Sequence, residues 1–136
     1  MSDKLIKKIR HVGIDVKDIE LSLKFYAHLL GFEEKERLLS RHGKILQFLR
    51  KGSATLELIK HPENRDIDCP ISHLAIEVED MDKAVAVIER CSGEYGLELL
   101  QKHPFEFNGD KIYFFCGPDG EKIEMMQGIK SRSQTK

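Results

Sequence analysis

At 136 residues the chain has the length of one domain, or of two small units that share a core, and a multidomain machine is excluded. Its residues are 40% hydrophobic and 33% charged, enough apolar material to bury a core without a charge excess that would keep it unfolded. With 22 Lys and Arg against 23 Asp and Glu, the formal net charge of -1 gives no general grip on nucleic acid or on an anionic membrane, so a small-molecule or protein partner is expected.

Residues 1–8 read as an N-terminal extension. They are basic but lack the apolar stretch of a secretory signal, and no later run reaches the roughly 18 apolar residues of a membrane span, so the expected location is the cytoplasm. The segment Ile9-Arg10-His11-Val12-Gly13-Ile14-Asp15-Val16 alternates, which predicts a strand with Val12, Ile14 and Val16 on one face and His11, Gly13 and Asp15 on the other. Asp18 is then a candidate N-cap of a helix whose apolar face is read as Leu21, Phe25 and Leu29 and which Gly31 closes. A weaker strand is expected over 34–39. Strands at 44–48 and 54–59 form a hairpin across Lys51-Gly52-Ser53, and a linker rich in Pro, Asn and Asp occupies 61–70.

From residue 71 the chain repeats itself. Ile71-Ser72-His73-Leu74-Ala75-Ile76-Glu77-Val78-Glu79-Asp80-Met81 aligns with residues 9–19 without a gap and sets His73 on His11. Asp80 takes the capping role, Ala84, Val85 and Ile88 form the apolar helix face, and Gly93 is read as the closing residue. A weak strand over 97–101 follows. Residues 111–115 then match 44–48, and residues 121–126 match 54–59, which sets Glu124 on Glu57. The offset between matched residues grows from 62 at His11 and His73 to 67 at Glu57 and Glu124, and the extra residues fit best in the loop over 103–109. Gly117-Pro118-Asp119-Gly120 turns the last hairpin.

Each half thus reads βαβββ. The expected organisation is a single domain over 9–127, with module one at 9–60, the linker at 61–70, module two at 71–127 and a polar, disordered tail over 128–136. Half a chain of this kind is marginal alone, so the two sheets are expected to combine into one curved surface, either within the chain or between chains.

Alternation places His11, Glu57, His73 and Glu124 on the faces that do not pack on the helices. One His or one Glu in such a place is ordinary; the same pair in both halves is not. A pseudo-twofold relation would gather two imidazoles and two carboxylates around one point, a donor set suited to a divalent metal ion, Ni or Zn foremost, with Fe, Mn or Co as alternatives. Asp15 and Glu77 share that face and are candidate acceptors for imidazole N–H groups. Cys69, Cys91 and Cys116 are odd in number and lack CxxC spacing, so they read as reduced thiols, with Cys116 a packing residue. His28, His42 and His61 read as surface residues. His103, Phe107 and Asn108 read as part of an exposed connector.

The sequence resembles the vicinal oxygen chelate superfamily, most closely its glyoxalase I-like (lactoylglutathione lyase-like) proteins and its methylmalonyl-CoA epimerases. The resemblance rests on the opening Ile-x-His-Val-x-Ile-x-Val-x-Asp, on Phe25-Tyr26 leading to Leu30-Gly31-Phe32, on Ser72-His73-Leu74-Ala75, and on Gly117-Pro118-Asp119-Gly120-Glu121-Lys122-Ile123-Glu124. It implies the glyoxalase/bleomycin resistance/dioxygenase fold, of class α+β, in which two tandem βαβββ modules form a curved eight-stranded mixed sheet, in a homodimer.

For the site, the resemblance implies His11, Glu57, His73 and Glu124 as metal ligands and Glu124 and Glu57 as catalytic carboxylates. The reaction implied is that of a metal-dependent lyase or isomerase of glyoxalase I type, abstracting a proton next to a metal-chelated carbonyl via an enediolate. Glu124 would be the base, and Glu57 a ligand and second acid/base. The implied substrate is a 2-oxoaldehyde thiol adduct or an acyl-CoA-like compound, with no nucleic acid and no membrane as partner. Alternatives within the resemblance are a methylmalonyl-CoA epimerase-like isomerase and a non-enzymatic binding or resistance protein. Two positions discriminate: glyoxalase I proteins commonly carry Arg where this chain has Asp15, and the epimerases often carry Gln where it has Glu57.

Overall fold

The computed structural model describes residues 5–129, so residues 1–4 of the expected extension and 130–136 of the expected polar tail lie outside the described residues. The chain divides into a unit of residues 11–73 and a unit of residues 1–10 and 74–136.

In the first unit the strand order is β2-β3-β4-β1, where β1 is Ile6–Val16, β2 Glu33–Leu39, β3 Ile45–Lys51 and β4 Ala54–Lys60. β2, β3 and β4 are antiparallel neighbours, and β4 runs parallel to β1 with Gly13 opposite Glu57 and Asp15 opposite Ile59. Alternation works as expected: Val12, Ile14 and Val16 pack with Leu49, Leu56 and Leu58. Leu49 and Leu58 are fully buried, each contributing about 2 kcal/mol of apolar transfer.

Asp18 caps helix α1 (Ile19–Leu23) by accepting from the Leu21 N–H at 3.0 Å. The helix continues through a π-helical turn, Lys24–Leu29, and Gly31, at φ 89°, ends it. Its buried face is not the expected one. Ile19, Leu23, Tyr26 and Ala27 enter the core, whereas Leu21, Phe25 and Leu29 are 63%, 45% and 73% exposed. Two apolar stripes compete on this short helix, and the one that starts at the residue after the cap enters the apolar cluster built by β1, β3 and β4.

In the second unit the strand order is β5-β9-β8, where β5 is Ile71–Val78, β8 Asp110–Cys116 and β9 Lys122–Gly128; β6 (Glu98–Leu99) and β7 (Phe105–Phe107) both pair with β8. β5 and β9 are parallel, with Ala75 opposite Glu124, which repeats the parallel pair of the first unit. The second helix, α2 (Met81–Tyr95), is capped by Asp80 through the Lys83 N–H. Met81, Ala84, Val85 and Ile88 pack on Val78, Tyr113, Phe115 and Met125. Gly93 is inside this helix, and its closing residue is Gly96, whose φ of 66° supplies the left-handed turn.

These mixed strands and two helices are the expected α+β class of paired βαβββ modules, with one short further strand among the described residues. The extra one, β7, forms because Asn108 and Gly109, at φ 51° and 84°, make a tight hairpin turn that folds the inserted segment back onto β8. No helix among the described residues is long and apolar enough to cross a membrane.

One core side chain yields a direct test. Tyr113 is fully buried, yet its hydroxyl has no hydrogen-bond partner among the described residues. An unpaired buried hydroxyl costs roughly 1–3 kcal/mol of desolvation. Tyr113→Phe is therefore expected to leave urea-unfolding stability unchanged or raised; a loss above about 1 kcal/mol would reveal a partner for that oxygen.

Candidate metal centre

Three donor side chains of the residue 11–73 unit lie against one another. His11 leaves β1 on the face opposite Val12 and Ile14, Glu57 leaves β4 on the face opposite Leu56 and Leu58, and His73 leaves the start of β5. All three are buried. Nε2 of His11 lies 3.2 Å from Nε2 of His73, Oε1 of Glu57 lies 3.2 Å from Nε2 of His11, and the same oxygen lies 3.1 Å from Nε2 of His73. Phe48, opposite Glu57 on β3, packs edge-on against the His11 ring at 5.6 Å.

The triangle fits a dication. Donors so spaced lie roughly 1.8 Å from their common centre, close to the about 2.0–2.2 Å at which a first-row ion bonds N and O donors, so these three side chains would hold one such ion. Burial pushes the Glu57 carboxyl up, but its hydrogen bonds to His11 and His73 pull it further down, to a net position below the ordinary glutamate value. Glu57 is therefore an anion at neutral pH, the form that ligates a cation. The donors are nitrogen and oxygen without thiolate, the set expected for Ni, Zn, Fe, Mn or Co.

Glu124, the fourth sequence candidate, belongs to the other unit. It is buried on β9, opposite Ala75 on β5 and Phe114 on β8. The row Ala75–Glu124–Phe114 repeats the row Gly13–Glu57–Phe48. This corrects the strand matching by one residue: Phe48 corresponds to Phe114 and not to Phe115, because the turn over 117–120 is longer than the turn after Lys51.

Other expectations fall differently. Asp15 does not support an imidazole of the triad; its Oδ1 lies 3.0 Å from Nε2 of His61, which is a half-buried partner and not a surface residue. Glu77 is engaged by Lys7 at 3.6 Å and Arg10 at 3.7 Å. Arg37 is tied to Gln47 at 2.6 Å and to Glu20 at 3.1 Å. His28 and His42 are exposed, and the three cysteines are free thiols. Two residues at the centre had no sequence role: Ser72, whose Oγ is 3.0 Å from Nδ1 of His73, and Gly13, which faces the His73 ring. Their only sequence signal was a small residue beside each histidine motif.

Among the described residues, nine strands in parallel and antiparallel pairs and two helices make an α+β fold that carries a buried imidazole–carboxylate triad. The sequence profile of the Glyoxalase/Bleomycin resistance protein/Dioxygenase superfamily matches residues 8–125, and the chain belongs to that superfamily. It is 32% identical over 128 residues to YwbC of Bacillus subtilis (strain 168), covering 90% of this chain and 99% of that one. It is 31% identical over 127 residues to a lactoylglutathione lyase of Neisseria meningitidis serogroup A, covering 88% and 90%. A crystal structure of methylmalonyl-CoA epimerase from Mycobacterium tuberculosis shares the fold, with a TM-score of 0.76 at 21% identity over 98% of this chain and 95% of that one.

Proposed function

We propose that this protein is a metal-dependent lyase or isomerase of glyoxalase I type, which removes a proton from the carbon beside a carbonyl of a small oxygenated substrate. The observation that carries this reading is the mutual approach of His11 Nε2, His73 Nε2 and Glu57 Oε1 to 3.1–3.2 Å in a buried setting. In this reading the three residues hold a divalent ion, Ni or Zn in the first place, with Glu124 as the fourth ligand. The ion supplies a Lewis acid for two neighbouring substrate oxygens, stabilising the charge that develops there.

The chain's own residues do the rest. His11 and His73 are fixed anchors. Glu57 adds negative charge that offsets the dication. Glu124 takes the proton from carbon and returns it, a role that suits a buried carboxylate flanked by Phe114 and Ala75, where water competes poorly for the proton. The glyoxalase-like reading draws support from the likeness to the meningococcal lyase and from Glu57 at a position where epimerases often carry Gln. Asp15, already held by His61, offers no cationic contact for a glutathione carboxylate, so the thiol portion of an adduct would be recognised by other residues.

The experiment is metal analysis of the purified protein, followed by assays with methylglyoxal plus glutathione and, separately, with methylmalonyl-CoA. Turnover of the first supports the proposal. Turnover of the second alone, with α-proton exchange, overturns the glyoxalase I-type reading in favour of a methylmalonyl-CoA epimerase-like isomerase. Failure to take up metal under several reconstitution conditions overturns it in favour of a binding protein. Glu124→Gln is expected to keep the fold by circular dichroism and lower kcat by roughly 100-fold or more. Full turnover in that variant would remove Glu124 from the role of base.

A further inference from the structure

The two ring nitrogens of a histidine have different tasks at a cation: one presents its lone pair, and the other must carry the proton. Nε2 of His73 faces Glu57 and His11, so Nδ1 is the nitrogen left to carry it. The group at Nδ1 is the hydroxyl of Ser72, at 3.0 Å. A hydroxyl can accept as well as donate, so it matches the tautomer a ligand needs.

Space is the second constraint on the same ring. Gly13 is buried and paired with Glu57 across β1 and β4. A Cβ on Gly13 would overlap Cε1 of His73 and lie 2.5 Å from its Nδ1 and 2.9 Å from its Nε2. Gly13 is not among the residues with positive φ, so its backbone does not require glycine. The need is for room: the His73 ring occupies the volume that a side chain at 13 would fill.

We propose that Ser72 and Gly13 are positioning residues for His73, Ser72 by accepting a hydrogen bond from Nδ1–H and so leaving the Nε2 lone pair to the ion, Gly13 by ceding the space in which the ring stands. This rests on the metal-centre reading above. Neither residue touches a substrate or the ion; both act through one imidazole.

Three variants test it: Ser72→Ala, Ser72→Thr and Gly13→Ala. Competition titration with Zn or Ni is expected to show Ser72→Ala weakened by about 10- to 100-fold, with Ser72→Thr restored to within a few-fold of wild type. Gly13→Ala is expected to lose affinity on a similar scale. In the Co(II)-loaded protein, the paramagnetically shifted Nδ1 proton of His73 should exchange with solvent faster in Ser72→Ala than in wild type, a signature that a general loss of stability would not give. Wild-type affinity and spectra in both Ser72→Ala and Gly13→Ala would overturn the inference. Should the wild type bind no ion, the functional reading fails, and metal-free protein decides the positioning role. An unchanged His73 ring ¹⁵N shift in Ser72→Ala, with an unmoved ring in a Gly13→Ala crystal structure, overturns it; displacement of both supports it.

Discussion

Glu57→Ala is expected to lower affinity for a divalent cation by more than the ~100-fold that loss of an outer partner costs, because it removes a donor and the triad's only negative charge together. The geometry sets the ranking among variants. Oε1 of Glu57 is within 3.2 Å of both imidazoles, so no neighbouring side chain in the triad can replace it without moving a strand. Glu57→Gln keeps an oxygen of the same reach but no charge, and should fall between wild type and Glu57→Ala. Both variants should retain the fold, since Leu58 beside Glu57 remains anchored in the core. Isothermal titration with Ni and Zn, with circular dichroism as the control for folding, measures this order. Affinity should also decline as pH falls, because an imidazole must shed its proton before it can ligate. Equal affinity for Glu57→Ala and wild type would exclude Glu57 as a ligand.

The repeat made much of this centre legible. Matching His11 to His73 needed only alternation and a gapless alignment, and matching Glu57 to Glu124 needed in addition the growth of the offset from 62 to 67, because period-two patterning says which face a strand residue takes. It does not say which neighbour that residue meets. Asp15 was rightly placed on the face of His11, yet its partner is His61, which follows β4 beside it. The first helix carried two apolar stripes, and composition could not choose between Leu21, Phe25, Leu29 and Ile19, Leu23, Tyr26; packing into the cluster of β1, β3 and β4 chose the second. Gly93 and Gly96 compete as helix closers, and only the backbone angle separates them. The Asn108-Gly109 hairpin was readable from turn chemistry, but the growing offset drew the segment towards a loop. Gly13 and Ser72 were opaque for another reason: what matters about one is the volume it leaves, and about the other a hydrogen atom's place.

Long-range ion pairs are the hardest case, and the pair Arg10–Asp110 carries the second large expected effect. The two residues are 100 apart in sequence, and the guanidinium meets the carboxylate with two prongs, Nη1 to Oδ1 at 3.3 Å and Nη2 to Oδ2 at 3.2 Å. The side chain of Asp110 is 4% exposed and that of Arg10 is 17% exposed. Breaking a buried pair leaves a charge without compensation, which costs about 3–5 kcal/mol. The two halves of the pair are not equivalent. Asp110→Ala leaves Arg10 with Glu77 at 3.7 Å, whereas Arg10→Met leaves Asp110 without its two-pronged partner. Arg10→Met should therefore be the more damaging, lowering Tm by roughly 10 °C for a chain of this size. The double variant Arg10→Met/Asp110→Leu should recover most of that loss, because no isolated charge remains. Differential scanning calorimetry of the three proteins reads the order directly. If Arg10→Met melts like wild type while KM for an anionic substrate rises, the guanidinium serves the substrate and not the fold.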